Sequence, residues 1–156
     1  MSAWDDVRQA IATKMGSAAL QTAGIRSVST KMDDPLTVLP AVRVLQPSYT
    51  LRWQTGNTEA FTLDVPFELV VPRPSGTRRS SPIAADLARA IQVEFQSGYR
   101  LSGITLGLVS ITDARLDSMT PGLSEYDDTD PDGRPLYDGY RGSVTVDIEE
   151  SVTRSA

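Results

Sequence analysis

Residues Glu59 to Val71 read EAFTLDVPFELVV, with an apolar side chain on every second position: Phe61, Leu63, Val65, Phe67, Leu69 and Val71. Alternation of this kind puts those side chains on one face of a β-strand. Thr62, Asp64, Pro66 and Glu68 fall on the other face, toward water or a partner. Helical spacing would mix the two sets. At ~3.3 Å per residue the strand reaches roughly 40 Å, about twice the usual length, so it is expected to outrun its own domain. Pro66 has no N–H to give to a ladder, which places the strand at a sheet edge or bends it there.

Working outward, Tyr49, Leu51 and Trp53 alternate with Thr50, Arg52 and Gln54, and TGNT at Thr55 to Thr58 supplies a glycine and an asparagine for a tight turn. The two runs therefore read as one long hairpin. Ala41 to Gln46 is a further strand, with Val42 and Val44 facing one way and Arg43 the other, ended by Pro47. Ile25 to Ser29 has β-branched alternation, whereas Lys31 to Pro40 reads as a loop or a weakly held crossover. Near the amino terminus, Ser2 and Asp5 resemble a capping box, and Trp4, Val7, Ile11 and Met15 recur at helical spacing. The spacing predicts a helix from Ala3 to Leu20, weakened in its middle by Gly16 and stopped by Gly24.

Downstream, PRPSGTRRSSP at Pro72 to Pro82 has to be an irregular connection. A second helix follows, capped by Ser81 with Pro82 at its first position. Ile83, Leu87, Ile91 and Phe95 form its apolar strip, and Ala84, Ala88 and Ala90 let it lie close to a sheet. Ile104 to Thr112 resumes a strand, Asp113 to Asp138 reads as a long acidic loop, functional or ordered by a partner, and Tyr140 to Val152 closes the sheet. In that last strand Val144, Val146 and Ile148 alternate with Ser143, Thr145, Asp147 and Glu149.

A chain of 156 residues suits one domain spanning 1–156. It contains neither cysteine nor histidine, which excludes disulfides, thiolate metal sites, imidazole catalysis and ordinary zinc ligation. A net charge of −5 argues against general binding to nucleic acid, whose affinity comes from phosphate neutralisation. No apolar run approaches the ~20 residues of a membrane span, and no basic-then-apolar leader opens the chain, so the expectation is a soluble protein made in a cytoplasm.

Three groups carry candidate chemistry. Asp128, Asp130, Asp132 and Gly133 match the first half of a calcium loop, but the twelfth position, where a bidentate glutamate belongs, is Gly139. The alternative is a solvated acidic turn. Arg73, Arg78 and Arg79 can hold phosphates or a neighbour's carboxylates, with the run from Asp127 to Asp132 as their leading partner, or can merely be solvated. Asp64 and Glu68 share the polar strand face, where alternating acids usually meet water or a subunit surface. No activated nucleophile, glycine elbow or cofactor signature accompanies them, so neither an enzyme nor a bound cofactor is expected. Trp4, Trp53 and the phenylalanines suit core positions.

The order helix, short strands, long hairpin, loop, helix, strand, acidic loop, final strand resembles the tail terminator (tail-completion) proteins of long-tailed bacteriophages. The resemblance is carried by PAVRVLQ at Pro40 to Gln46, DVPFELVVPRP at Asp64 to Pro74, SPIAADLARAIQVEF at Ser81 to Phe95 and YRGSVTVDIEESV at Tyr140 to Val152. It implies an α+β fold, two helices packed on a mainly antiparallel sheet with a long hairpin. It also implies assembly as a hexameric ring that caps the tail tube, ends its polymerisation and meets the head connector, in a virion assembled in the host cytoplasm. DNA would pass through the lumen without specific binding, and no membrane is involved. Another neck or tail-tube protein fits the same texture, and a calcium-dependent binding module is the rival of a different class.

Overall fold

A computed structural model describes residues 3–30, 38–72, 82–96, 105–106, 109–122 and 137–151. The elements are α1 (Ala3–Met15), α2 (Ala18–Ala23), β1 (Ser27–Ser29), β2 (Ala41–Val44), β3 (Ser48–Gln54), β4 (Thr58–Pro72), α3 (Pro82–Gln96), β5 (Thr105–Leu106), β6 (Val109–Pro121) and β7 (Tyr137–Ser151). The expected α+β class holds. One seven-stranded sheet runs β1-β2-β4-β7-β6-β5, with β3 paired to β4, and only the β1–β2 pair is parallel.

β4, the strand of alternating apolar residues, is not an edge. Each of the 15 residues of β4 has a partner in β7, from Thr58 with Ser151 to Pro72 with Tyr137, so β4 does not outrun the sheet. On its other side β4 meets β2 at Phe67 to Val70 and β3 at Glu59 to Asp64. Pro66 stands at the seam between these two neighbours, and its carbonyl accepts from the Leu45 N–H at 2.8 Å. Because a residue's N–H and C=O point to the same side of an antiparallel strand, the missing proline N–H also faces that seam. A proline is tolerated inside this sheet because no ladder neighbour asks it for a donor there.

The alternating apolar face forms the core. Leu63, Val65, Phe67, Leu69 and Val71 are at most 1% exposed, and they pack with Val144, Val146 and Ile148 of β7. The helices cover this face. Leu87, Ile91 and Phe95 of α3 are buried in the same cluster, with Ala84 and Ala88 filling the closest approach, whereas Ile83, expected to head that strip, is 54% exposed. Val7, Ile11 and Met15 of α1 are fully buried, and Trp4 lies against Phe61 and Tyr49 at ring-centroid distances of 5.5 and 4.3 Å. In place of one helix to Leu20, the chain breaks at Gly16 and restarts. The Ser17 hydroxyl caps α2 by accepting from the Leu20 N–H at 3.4 Å, and Gly24, at φ 131°, ends it.

The acidic loop expected from Asp113 also changes. Residues Asp113 to Pro121 extend β6 along β7, with Ala114 opposite Val146 and Leu116 opposite Val144 on the core face. Bulges between Ile111 and Asp113 and between Leu116 and Met119 let the strand absorb extra residues while keeping those apolar positions inward.

Lys14 joins α1 to α3. Its side chain is 3% exposed, with Nζ 3.8 Å from Glu94 Oε1 and 5.5 Å from the centre of the Phe95 ring. Burial pushes its ammonium below the ordinary value of 10.5, an effect that Glu94 partly offsets. Between the lowered folded pKa and 10.5 the unfolded chain holds a proton that the folded chain lacks, so this residue makes stability rise with pH through that window. Urea unfolding across alkaline pH is expected to show a flatter rise for Lys14→Met than for the parent chain. For the core itself, Phe95→Ala is expected to cost about 3–5 kcal/mol, and a loss below about 1 kcal/mol would mean that α3 does not seat on the sheet as described.

Candidate interaction surfaces of the sheet

The second face of the sheet carries no helix among the described elements packed into the core, and its polar residues are set by the same alternation that built the core. Asp147 of β7 lies at its centre, opposite Thr62 of β4 and Asp113 of β6. The Thr62 hydroxyl donates to Asp147 Oδ1 at 2.8 Å, Arg52 Nε stands 3.8 Å from the same oxygen, and Arg115 Nη1 reaches Oδ2 at 3.4 Å. Arg115 also donates to Asp113 at 3.1 Å. Side chains of three strands thus converge on the carboxylate of a fourth, and the bulge between Leu51 and Trp53 is where Arg52 leaves strict register to join them. Nearby, the hydroxyls of Thr145 and Ser143 both donate to Asp117. A carboxylate and a hydroxyl paired in this way tie β6 to β7. Among the described residues no group of three or more acidic or metal-ligating side chains is placed to hold an ion.

At the other end of this face the surface is closed. Glu68 and Arg43 are direct register partners across β2 and β4, and they are only 6% and 7% exposed. Opposite charges facing each other across a ladder support the pairing, and burial removes both from the solvent-facing surface. Glu68, expected beside Asp64 on an exposed polar face, is therefore a buried residue. Asp64 itself is exposed, opposite Ser48.

β3 presents a different surface. All seven of its residues are exposed, and they include Tyr49 (57%), Leu51 (46%) and Trp53 (42%). Trp53, expected in the core, is outside it because the bulge between Leu51 and Trp53 shifts the register and sets Trp53 opposite Ala60, on the second face of the sheet. Tyr49 and Leu51 lie opposite Leu63 and Phe61, hence on the core face, beyond the cover of α1 except where Trp4 touches Tyr49.

This architecture has a known counterpart. The chain is similar to a chain of the structure titled "Virion of native gene transfer agent (GTA) particle", with a TM-score of 0.59, 97% of this chain and 98% of that chain covered, and 9% sequence identity. At that identity the likeness is one of fold. No family model matches the sequence, and no curated protein matches it either.

Of the residues singled out from the sequence, Arg73, Arg78, Arg79, Asp127, Asp128, Asp130 and Asp132 lie outside the described residues. The structure brings together a set that the sequence reading did not assemble: Arg52, Thr62, Arg115 and Asp147. The signal was present in part, since the alternation of β7 already put Asp147 on the polar face. Asp147→Asn is expected to lower stability by about 1 kcal/mol, because it weakens two partly exposed ion pairs while keeping a hydrogen-bond acceptor for Thr62. The loss should shrink at high salt, as read from urea midpoints at two ionic strengths.

Proposed function

We propose that this chain is a structural protein of a phage-like particle, a tail terminator built as one domain over 1–156 that forms a ring, hexameric by resemblance, in the virion neck. The ring would cap the last layer of the tail tube, stop its polymerisation and offer a surface to the head connector. The observation that carries this reading is the end-to-end fold likeness to a virion chain, which leaves almost no part of either chain unmatched. The order of sequence elements, which resembles tail-completion proteins, supports it independently.

The mechanism is binding. One face of the ring reproduces the acceptor surface of the tube, and the other withholds the surface that a further tube layer would need. The solvent-facing part of the sheet fits a wall along which DNA moves: Asp64, Asp113, Asp117, Asp147 and Glu149 outnumber Arg52, Arg115 and Arg141 there, and mobile DNA is not held by a surface of its own sign. Assembly would take place in the host cytoplasm. Arg73, Arg78 and Arg79, with the acidic run from Asp127 to Asp132, remain proposed contacts between subunits or with the tube, worth little energy as exposed pairs but able to set orientation and association rate.

Another neck or tube protein is the second reading, since tube subunits also present long strands. Electron microscopy of the purified protein separates the two. Discrete rings, and shortened tubes when the protein is added to polymerising tube subunits, are expected of a terminator. Filaments that lengthen without limit would assign the chain to the tube.

A further inference from the structure

Tyr49 and Leu51 stand on the core side of β3 and are exposed all the same. Tyr49 is nevertheless held in place. Its ring lies 4.3 Å from that of Trp4 and 5.9 Å, edge on, from that of Phe61, so two aromatic neighbours fix its direction while the rest of it faces solvent. An aromatic side chain fixed in this way loses little entropy on docking, and tyrosine is enriched among the residues that anchor protein interfaces.

At the opposite margin of the sheet, with β4 and β7 between, α3 and the second half of β6 leave a groove of about 320 Å³ on the same face. α3 lines it with Ala85 and Ala88, too short to fill the space, and the bulge between Leu116 and Met119 bends β6 where the groove lies. Leu116, Met119 and Tyr140 add apolar wall. The charged groups of the lining already have partners: Arg89 donates to Gln92 at 3.0 Å, and Asp117 accepts from the hydroxyls of Thr145 and Ser143. Water can therefore leave the groove without stranding a charge.

We infer that Tyr49 of one subunit, with Leu51 beside it, seats in this groove of the next copy. The inference rests on the ring reading and names the contact that closes the ring. It joins side chains on the helix-bearing face and asks nothing of the backbone edge of either strand. Projection and recess are different patches at opposite margins of one sheet, so their contact runs head to tail, as a closed ring requires; a patch that matched itself would stop at two copies. This chain carries both halves of the match, whereas a tube or connector protein would have to supply one of them. The electrostatics agree, since two uncharged side chains enter a groove whose one cation and one anion offset each other. The phenol keeps a polar partner within the lining, at Arg89 or Gln92. A buried tyrosine contributes roughly 150–250 Å², a fraction of the ~800 Å² per partner of a stable two-body interface. Ring closure compensates, because each copy is then held at two places and a contact weak in isolation becomes intramolecular.

Two substitutions at exposed positions test it from opposite sides: Tyr49→Ala removes the projection, and Ala85→Trp fills the groove. Each is expected to raise the concentration at which rings form about thirtyfold or more, the effect of losing an interface anchor, with the urea midpoint of Ala85→Trp unchanged. Mixing the two variants restores one match per pair, Tyr49 of the Ala85→Trp copy in the groove of the Tyr49→Ala copy. Because the chain has no cysteine, only introduced thiols react. Ser48→Cys is added to the first copy and Ser118→Cys or Arg89→Cys to the second, and the mixture is treated with a bis-maleimide. Heterodimers and nothing larger are expected, with neither copy linking to itself. Rings that persist in both variants would overturn the contact and leave the ring reading standing. Loss of rings in Tyr49→Ala alone would overturn the groove as the seat. A mixture that gives no heterodimer with either cysteine pair would overturn the head-to-tail match. A parent chain that neither forms rings nor cross-links would overturn the contact together with the ring.

Discussion

The ladder between β4 and β7 is the constraint on which the other elements depend. Fifteen consecutive pairs fix the register of both strands, and with it the face that every side chain on them takes. A slip of one residue would send Leu63, Val65, Phe67 and Leu69 to the solvent side and bring Asp64 and Glu68 into the core, a change no local adjustment can offset. Because register is so strongly specified, the helices have a single apolar surface to cover. α1 and α3 bring no partner of their own to the sheet's ladders; they are held by Val7, Ile11, Leu87, Ile91 and Phe95 on that one face.

The same ladder explains what could be read from the sequence and what could not. Period-two alternation is a property of the strand itself, so β4, β7 and the inward turn of Val42 and Val44 were legible from their residues. Alternation says which side a residue faces and nothing of what lies over that side. Glu68 and Arg43 take the face that alternation gives them, yet they are buried, and Trp53 leaves the core face because a bulge shifts the β3 register just before it. The extension of β6 through DARLDSMTP was missed because charged residues and two bulges hide its alternation, although Ala114 and Leu116 kept their places opposite β7. The break at Gly16 was visible as a weak point. That Ser17 caps a new helix there goes with the burial of Leu20 in the core, which spacing alone does not show.

The polar surface has a division that matches the proposed role. Where strands are flanked on both sides, charged groups are tied to one another, with Asp147 held by three neighbours. Along β3, which among the described residues has β4 as its one neighbour, large apolar side chains are left exposed. The first kind of surface is suited to a wall past which something must slide, and the second to a seam.

The seam at Pro66 has a consequence during synthesis. Even the closest pair of the β4–β7 ladder, Pro72 with Tyr137, closes a loop of about 65 residues, so β4 waits for its main partner while the intervening chain is made. For that interval the strand is an apolar ribbon able to pair with the same ribbon on another nascent chain. Asp64, Pro66 and Glu68 interrupt it at every second position. In the finished sheet one of them is solvent-exposed, one sits at a junction and one is buried, three unrelated environments. In the waiting strand they act together as gatekeepers, a charge, a missing donor and a second charge that make premature pairing costly.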